Sequence, residues 1–138
     1  MKRAALFLIV LVLAGGCGTG LERLRVENQQ NLLTLSVGMT KKEAMDAMGY
    51  KTASNDYIGR AYYTSKSALS ATNPYRSEIM QGKDKIFEVL YYYTDVKSDD
   101  GAITDDELTP LIFDEGRLIG WGWGFLNANV QKYEIRLR

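Results

Sequence analysis

Val37-Gly38-Met39-Thr40-Lys41-Lys42-Glu43-Ala44-Met45-Asp46-Ala47-Met48-Gly49 is the stretch that decides the fold. Thr40 followed three residues later by Glu43 is a capping box, in which each side chain satisfies the other residue's free backbone amide. Met39, just before the cap, is placed to pack on Ala44 as a hydrophobic staple. Ala44, Met45 and Met48 line one face, and Gly49 supplies a positive-φ stop. The stretch therefore predicts a short helix over Lys41–Met48. A helix this short is stable only when packed on something larger, so its partners are sought on either side.

Upstream, Leu21, Leu24, Asn28, Leu32 and Leu35 recur at steps of three and four, with Glu22, Arg23, Glu27, Gln29 and Gln30 between them. This spacing predicts a helix over 22–35 with one stripe turned inward. Downstream the periodicity changes to two. In Ile86–Asp95, Phe87, Val89, Tyr91 and Tyr93 share one face while Ile86, Leu90 and Tyr92 share the other, as a strand requires. Leu108–Phe113 reads as the next strand, with Pro110 suggesting an edge position or a bulge. Asp114-Glu115-Gly116-Arg117 is a hairpin turn, and Leu118–Phe125 returns as a strand. The alternation at Tyr133, Ile135 and Leu137 predicts a last strand. Tyr50–Lys85 is rich in Ser, Thr, Asn, Gly and Tyr. Within it Tyr57–Tyr63 reads as a short strand, Asn73-Pro74 as a turn, and Tyr75–Met80 as an edge strand or a helical turn. The expectation is one α+β domain over 22–138: two short N-terminal helices packed on a small antiparallel sheet of three to four strands.

The first seventeen residues have a different character. Lys2 and Arg3 precede an unbroken apolar run, Ala4–Ala14, which is followed by Gly15, Gly16 and the only cysteine, Cys17. A positive start, a short apolar core and small residues before a cut site describe a secretory signal peptide. The run is shorter than the roughly 20 residues a spanning helix needs. Leu13-Ala14-Gly15-Gly16-Cys17 resembles the lipobox of bacterial lipoproteins. That resemblance implies that 1–16 are removed and that Cys17 is lipidated, with 17–21 a short tether. Gly18 is not the aspartate that usually retains lipoproteins in the inner membrane, which favours the outer membrane, periplasmic side. With Cys17 acylated, no thiol is left for a disulfide in an oxidising compartment.

The whole chain carries 17 Lys and Arg against 17 Asp and Glu and has no histidine. Loss of Lys2 and Arg3 would leave a net charge of about −2, the opposite of the basic excess of a nucleic-acid binder. Lack of histidine removes the commonest general base and zinc ligand. Paired carboxylates such as Asp114 and Glu115 sit on a turn, where they are solvated rather than set for acid–base work. No catalytic group, cofactor or metal is expected.

Three features are candidates for binding. If 118–125 is one strand, Ile119, Trp121, Trp123 and Phe125 share a face opposite a row of Gly120, Gly122 and Gly124. The default is that these aromatics fill the core, because large exposed aromatic patches are rare on monomers. The sharper reading is a helix lying on the glycine row, with Trp121, Trp123 and Phe125 left as a docking face, since tryptophan is enriched at interface hot spots. In 73–78, Tyr75 and Arg76 follow a turn. Arg76 and Glu78 either pair internally or form a recognition loop. The acidic stretch 95–107 places Asp100 and Glu107 on ligand positions of a calcium loop, but Val96 falls where the first ligand is needed, so a solvated connection is the default.

Two separated pieces resemble one family. Val37–Gly49 resembles the "GMT-x-x-x-V-x-x-x-x-G" helix of the SmpA/OmlA (BamE-like) outer-membrane lipoproteins. Leu111-Ile112-Phe113-Asp114-Glu115-Gly116-Arg117-Leu118-Ile119-Gly120-Trp121-Gly122 resembles their closing hairpin. The resemblance implies two short helices on a small antiparallel sheet, similar also to the β-lactamase-inhibitor-protein module. Family members often carry a proline soon after the helix glycine, whereas Tyr50-Lys51-Thr52 follow here. The expected function is that of a protein-interaction module, held to the membrane through Cys17, with a protein partner in the envelope and no enzymatic activity. An accessory of outer-membrane or envelope assembly fits this picture. The alternatives are a small-ligand or metal-binding lipoprotein using 95–107, or a hydrolytic enzyme.

Overall fold

The computed structural model describes residues 20–55, 69–98 and 100–135. Helix α1 spans Gly20–Leu32 and α2 Lys41–Met48, followed by strands β1 (Thr52–Ser54), β2 (Ser70–Thr72), β3 (Arg76–Gln81), β4 (Ile86–Tyr93), β5 (Leu108–Asp114) and β6 (Arg117–Trp121), and by helix α3 (Trp123–Lys132). The fold is α+β, with three helices and two antiparallel sheets. β1 and β2 form a small hairpin, and the main sheet runs in the order β3-β4-β5-β6.

The capping box forms as the sequence predicts. The Glu43 amide donates to Thr40 Oγ1 at 3.2 Å and the Thr40 amide donates to Glu43 Oε2 at 2.8 Å. Gly49 closes α2 at φ 76°, and Met39 packs against the cluster that holds Ala44. The first helix starts and stops earlier than its periodicity suggests. Successive bonds from the amides of Leu33, Thr34 and Leu35 to carbonyls three residues back tighten the chain into a turn. Leu35 is buried just beyond the helix rather than within it.

The main sheet separates two apolar clusters. On one face lie Phe87, Val89, Tyr91 and Tyr93 of β4 with Ile112 of β5, packed by Leu21 and Leu24 of α1 and Leu126 of α3. On the other lie Leu90, Tyr92, Leu111, Phe113 and Leu118, packed by Ala44 and Met48 of α2. The two N-terminal helices are thus only part of the cover, and a third helix begins where the second half of the expected 118–125 strand would lie. Two-sided burial suits β4, which reads as a nearly continuous apolar run.

Three expectations are corrected. First, β5 is an interior strand although it contains Pro110. The Pro110 carbonyl accepts from the Gly122 amide at 2.8 Å, so its backbone faces the side on which β6 has just ended, at Trp121. The amide that proline lacks is not needed there. Second, β6 does not continue to Phe125. The register passes from Ile112↔Gly120 to Phe113↔Leu118, leaving Ile119 as a bulge. Gly122 then adopts φ 88° and leads directly into α3. Third, Tyr133 and Glu134 form the turn that ends α3 and Ile135 is buried against the first cluster. The expected strand over 133–137 is absent from its described part. The Tyr57–Tyr63 strand and Cys17 lie outside the described residues. No helix among the described residues is long and apolar enough to cross a membrane.

Candidate interaction site

β3 is an edge of the main sheet. It pairs with β4 from Arg76↔Tyr91 to Gln81↔Ile86, and no described strand pairs with its other side. The opposite edge is closed. Gly38 donates to the Leu118 carbonyl and the Leu118 amide to Met39, both at 2.8 Å, while Lys41 donates to Gly116 at 2.9 Å. Arg117 adds a guanidinium bond to the Gly38 carbonyl at 3.0 Å. The chain leading into α2 therefore occupies the position of a further strand beside β6, so within the main sheet only β3 keeps an unpartnered edge among the described residues.

The start of β3 is held from behind. Asn28 and Asn73 exchange side-chain amide bonds of 3.0 and 2.6 Å. Asn28 also donates to the Tyr93 carbonyl and Asn73 to the Met48 carbonyl. Both residues are buried, and every bond is made to a different part of the fold, so this pair joins α1, α2, β4 and the entrance to β3. The Asn73–Pro74 peptide is cis. The Tyr75 amide then donates to the Tyr91 carbonyl at 2.7 Å, and Tyr75 packs against the first cluster.

Arg76 lies over the ring of its cross-strand partner Tyr91, 4.1 Å from the centroid. Its guanidinium pairs with Glu78 at 3.3 Å and with Asp105 at 3.1 Å, while its Nε is buried without a hydrogen-bond partner. Tyr91 donates to Glu78 at 3.0 Å. Burial, and then this bond to a carboxylate, push the Tyr91 hydroxyl above its ordinary pKa, so it stays a donor. Trp123 tilts against the same ring at 5.8 Å and donates its indole N–H to the Leu108 carbonyl at 2.7 Å. Arg76 and Trp123 thus meet through Tyr91, a neighbour that sequence spacing alone does not reveal. Arg76 and Glu78 do pair internally, one of the two options open from the sequence.

The three aromatics expected on one face are divided. The bulge at Ile119 puts Trp121 against the α2 cluster, whereas Trp123 and Phe125, on α3, join the other cluster. All three are half-buried. Of the three glycines only Gly120 is closely approached: a Cβ there would come within 2.7 Å of the Phe125 ring, whereas Gly122 and Gly124 face open space. The covering group is a side chain of this same segment.

Further along β3, Ile79 is 68% exposed, and Ile86 on β4 is 61% exposed. They border an open groove of about 650 Å³ that Phe113 also lines. Ion pairs Lys85–Asp114 and Lys41–Glu88 lie beside it. Sequence reading passed over this groove. Its one available signal is Ile79, a large apolar residue among the polar neighbours of Arg76-Ser77-Glu78.

The 95–107 connection is internally bonded. Glu107 is buried, and its carboxylate accepts from the backbone amides of Lys97 at 2.7 Å and Thr104 at 3.1 Å. The hydroxyl of Ser98 and the amide of Ala102 hold Asp100, keeping its carboxyl below the ordinary range. Among the described residues no group of three or more such side chains is placed to hold a metal ion.

Fold and site together define a small α+β domain whose sheet is packed on both faces and open along one edge. The family described as "Protein of unknown function (DUF3192)" matches residues 19–127, and the chain belongs to that family. Neither a curated protein nor a solved structure matches it.

Proposed function

We propose that the chain is a lipid-anchored lipoprotein of the outer membrane of a Gram-negative bacterium. In this reading it faces the periplasm and acts by binding another envelope protein, as a non-enzymatic accessory of outer-membrane or envelope assembly. Its likeness to the SmpA/OmlA (BamE-like) lipoproteins in Val37–Gly49 and Leu111–Gly122 supports this reading, as does the lipobox-like Leu13–Cys17. The observation that carries the binding role is the asymmetry of the sheet. One edge is sealed by residues 38–41, while the other presents β3 beside the exposed Ile79 and Ile86. An unpaired edge is a template for an incoming strand, and Tyr75 and Arg76 stand at its entrance. The metal-binding alternative draws no support from Glu107, whose carboxylate is taken up by backbone amides.

A photo-reactive amino acid at Ile79, compared with one at Arg117 on the sealed edge, tests the binding role in living cells. A single defined envelope protein cross-linked from position 79 and not from 117 is the expected result. Equal cross-linking from both positions, or none from 79, would remove the role assigned to β3.

A further inference from the structure

Resting on the lipid-anchored reading above, we propose which end of the domain meets the membrane. The N-terminus of α1 and the β4–β5 connection lie against the lipid headgroups. The β3–β4 and β5–β6 turns point away from them.

The argument starts from the length of the tether. Only Gly18 and Thr19 separate Cys17 from Gly20, where α1 begins. Three extended residues reach about 11 Å at most. The eight residues of β4, rising about 3.4 Å each, give the sheet a length of roughly 24 Å. The leash is therefore shorter than half the sheet, and the domain cannot turn its other end to the surface without moving α1.

The first turn of α1 is fixed in place. Leu21 is buried, and a Cβ at Gly20 would sit 3.1 Å from the Ser54 carbonyl. Leu21 and Leu69 share a cavity of about 130 Å³ with Tyr93, Val96 and Gly101. This places the attachment point beside the C-terminal end of β4 and the connection that follows it. The turn Gly82–Lys85 and the hairpin tip Asp114–Arg117 close the sheet at its opposite end, so the Ile79–Ile86 groove is held away from the lipid.

The chemistry of the near end says what holds it there. Asp100, Asp105 and Asp106 are exposed on it. Negative charge does not adhere to an anionic bilayer. These carboxylates add no attraction to an anionic surface, so in this reading the acyl chains supply the attachment of this end.

Because Cys17 is the only cysteine and is consumed by acylation, a thiol introduced elsewhere takes a single label. The full-length lipidated protein, carrying either Ala102→Cys or Asp84→Cys with a fluorophore, is reconstituted into phosphatidylethanolamine/phosphatidylglycerol vesicles containing a nitroxide-headgroup lipid. Both positions are exposed, one at each end. Quenching several-fold stronger at 102 than at 84 is expected, and a long Gly/Ser insertion after Gly18 should abolish the difference. Vesicle flotation is scored on the same samples. Protein that floats with equal or reversed quenching overturns the orientation while leaving the anchor intact. Protein that does not float, or a Cys17→Ser variant that floats equally well, overturns the lipid anchor and the orientation with it.

Discussion

Thr40 and Glu43 each complete the other. Thr40→Ala removes an N-cap acceptor and should cost about 1 kcal/mol in denaturant melts. Glu43→Ala in the same background should add less than it does alone, because the two act in one box. The bonds from the Thr40 amide and hydroxyl hold the Glu43 carboxyl below its ordinary 4.5. A depressed folded-state pKa contributes stability above the unfolded value, and this is lost as pH falls through the folded one. The penalty of Thr40→Ala should therefore shrink when melts are repeated below about pH 4.5. An unchanged penalty in acid would mean that the carboxylate plays no part. This box was fully legible in the sequence, since it depends only on residues three apart. The Asn28–Asn73 pair was not: Asn28 stood on the buried stripe, but its partner lies 45 residues away, and no spacing rule reaches that far.

The segment from Leu118 to Lys132 changes from strand to helix without an obvious break. Gly120→Ala would drive a methyl into the Phe125 ring and should destabilise by about 1–3 kcal/mol, the usual cost of overpacking. Phe125→Leu should relieve part of that cost in the double variant. Additive losses would show that the ring does not rest on Gly120. The alternation of glycines and aromatics imitates period two up to Phe125. The bulge at Ile119 and the positive φ of Gly122 end the strand earlier; the bulge leaves no propensity signal, and Gly122 is indistinguishable in sequence from Gly120 and Gly124. The spacing of Trp123, Leu126 and Val130 already fits one helix face, but α3 lacks a side-chain cap to announce its start. By contrast, β4 and the Asp114–Arg117 hairpin were readable, because strict alternation and turn residues are local properties. The loop before β5 follows the same logic. Glu107→Ala should loosen 97–104, raising amide exchange there, and millimolar calcium should leave the melting temperature of the parent protein unchanged. A bound ion at a hundred times its dissociation constant would add about 2.7 kcal/mol, a shift easily seen.

At the scale of the molecule, two apolar clusters back onto one sheet, and α1 serves both. Leu21 and Leu24 enter one cluster and Leu32 borders the other. The buried amide of Asn28 lies between them. The sequence announced the α+β class and the order of its first elements. It could not announce how the helices are shared between the two faces, α1 and α3 mainly on one and α2 on the other, because that depends on where each returns to the sheet. The edge chosen for binding was also hidden, since the closure of β6 by Gly38–Lys41 is a pairing between distant segments.

That closure has a consequence for a crowded membrane. Edge-to-edge growth of sheets requires every member to offer two free margins. Among the described residues the main sheet offers β3 alone, so two copies that met along it would consume both of its templates at once. Such a pairing ends at a closed couple related by a two-fold axis and cannot run on into a fibre. The segment that leads into the capped helix thereby also acts as a terminator of polymerisation.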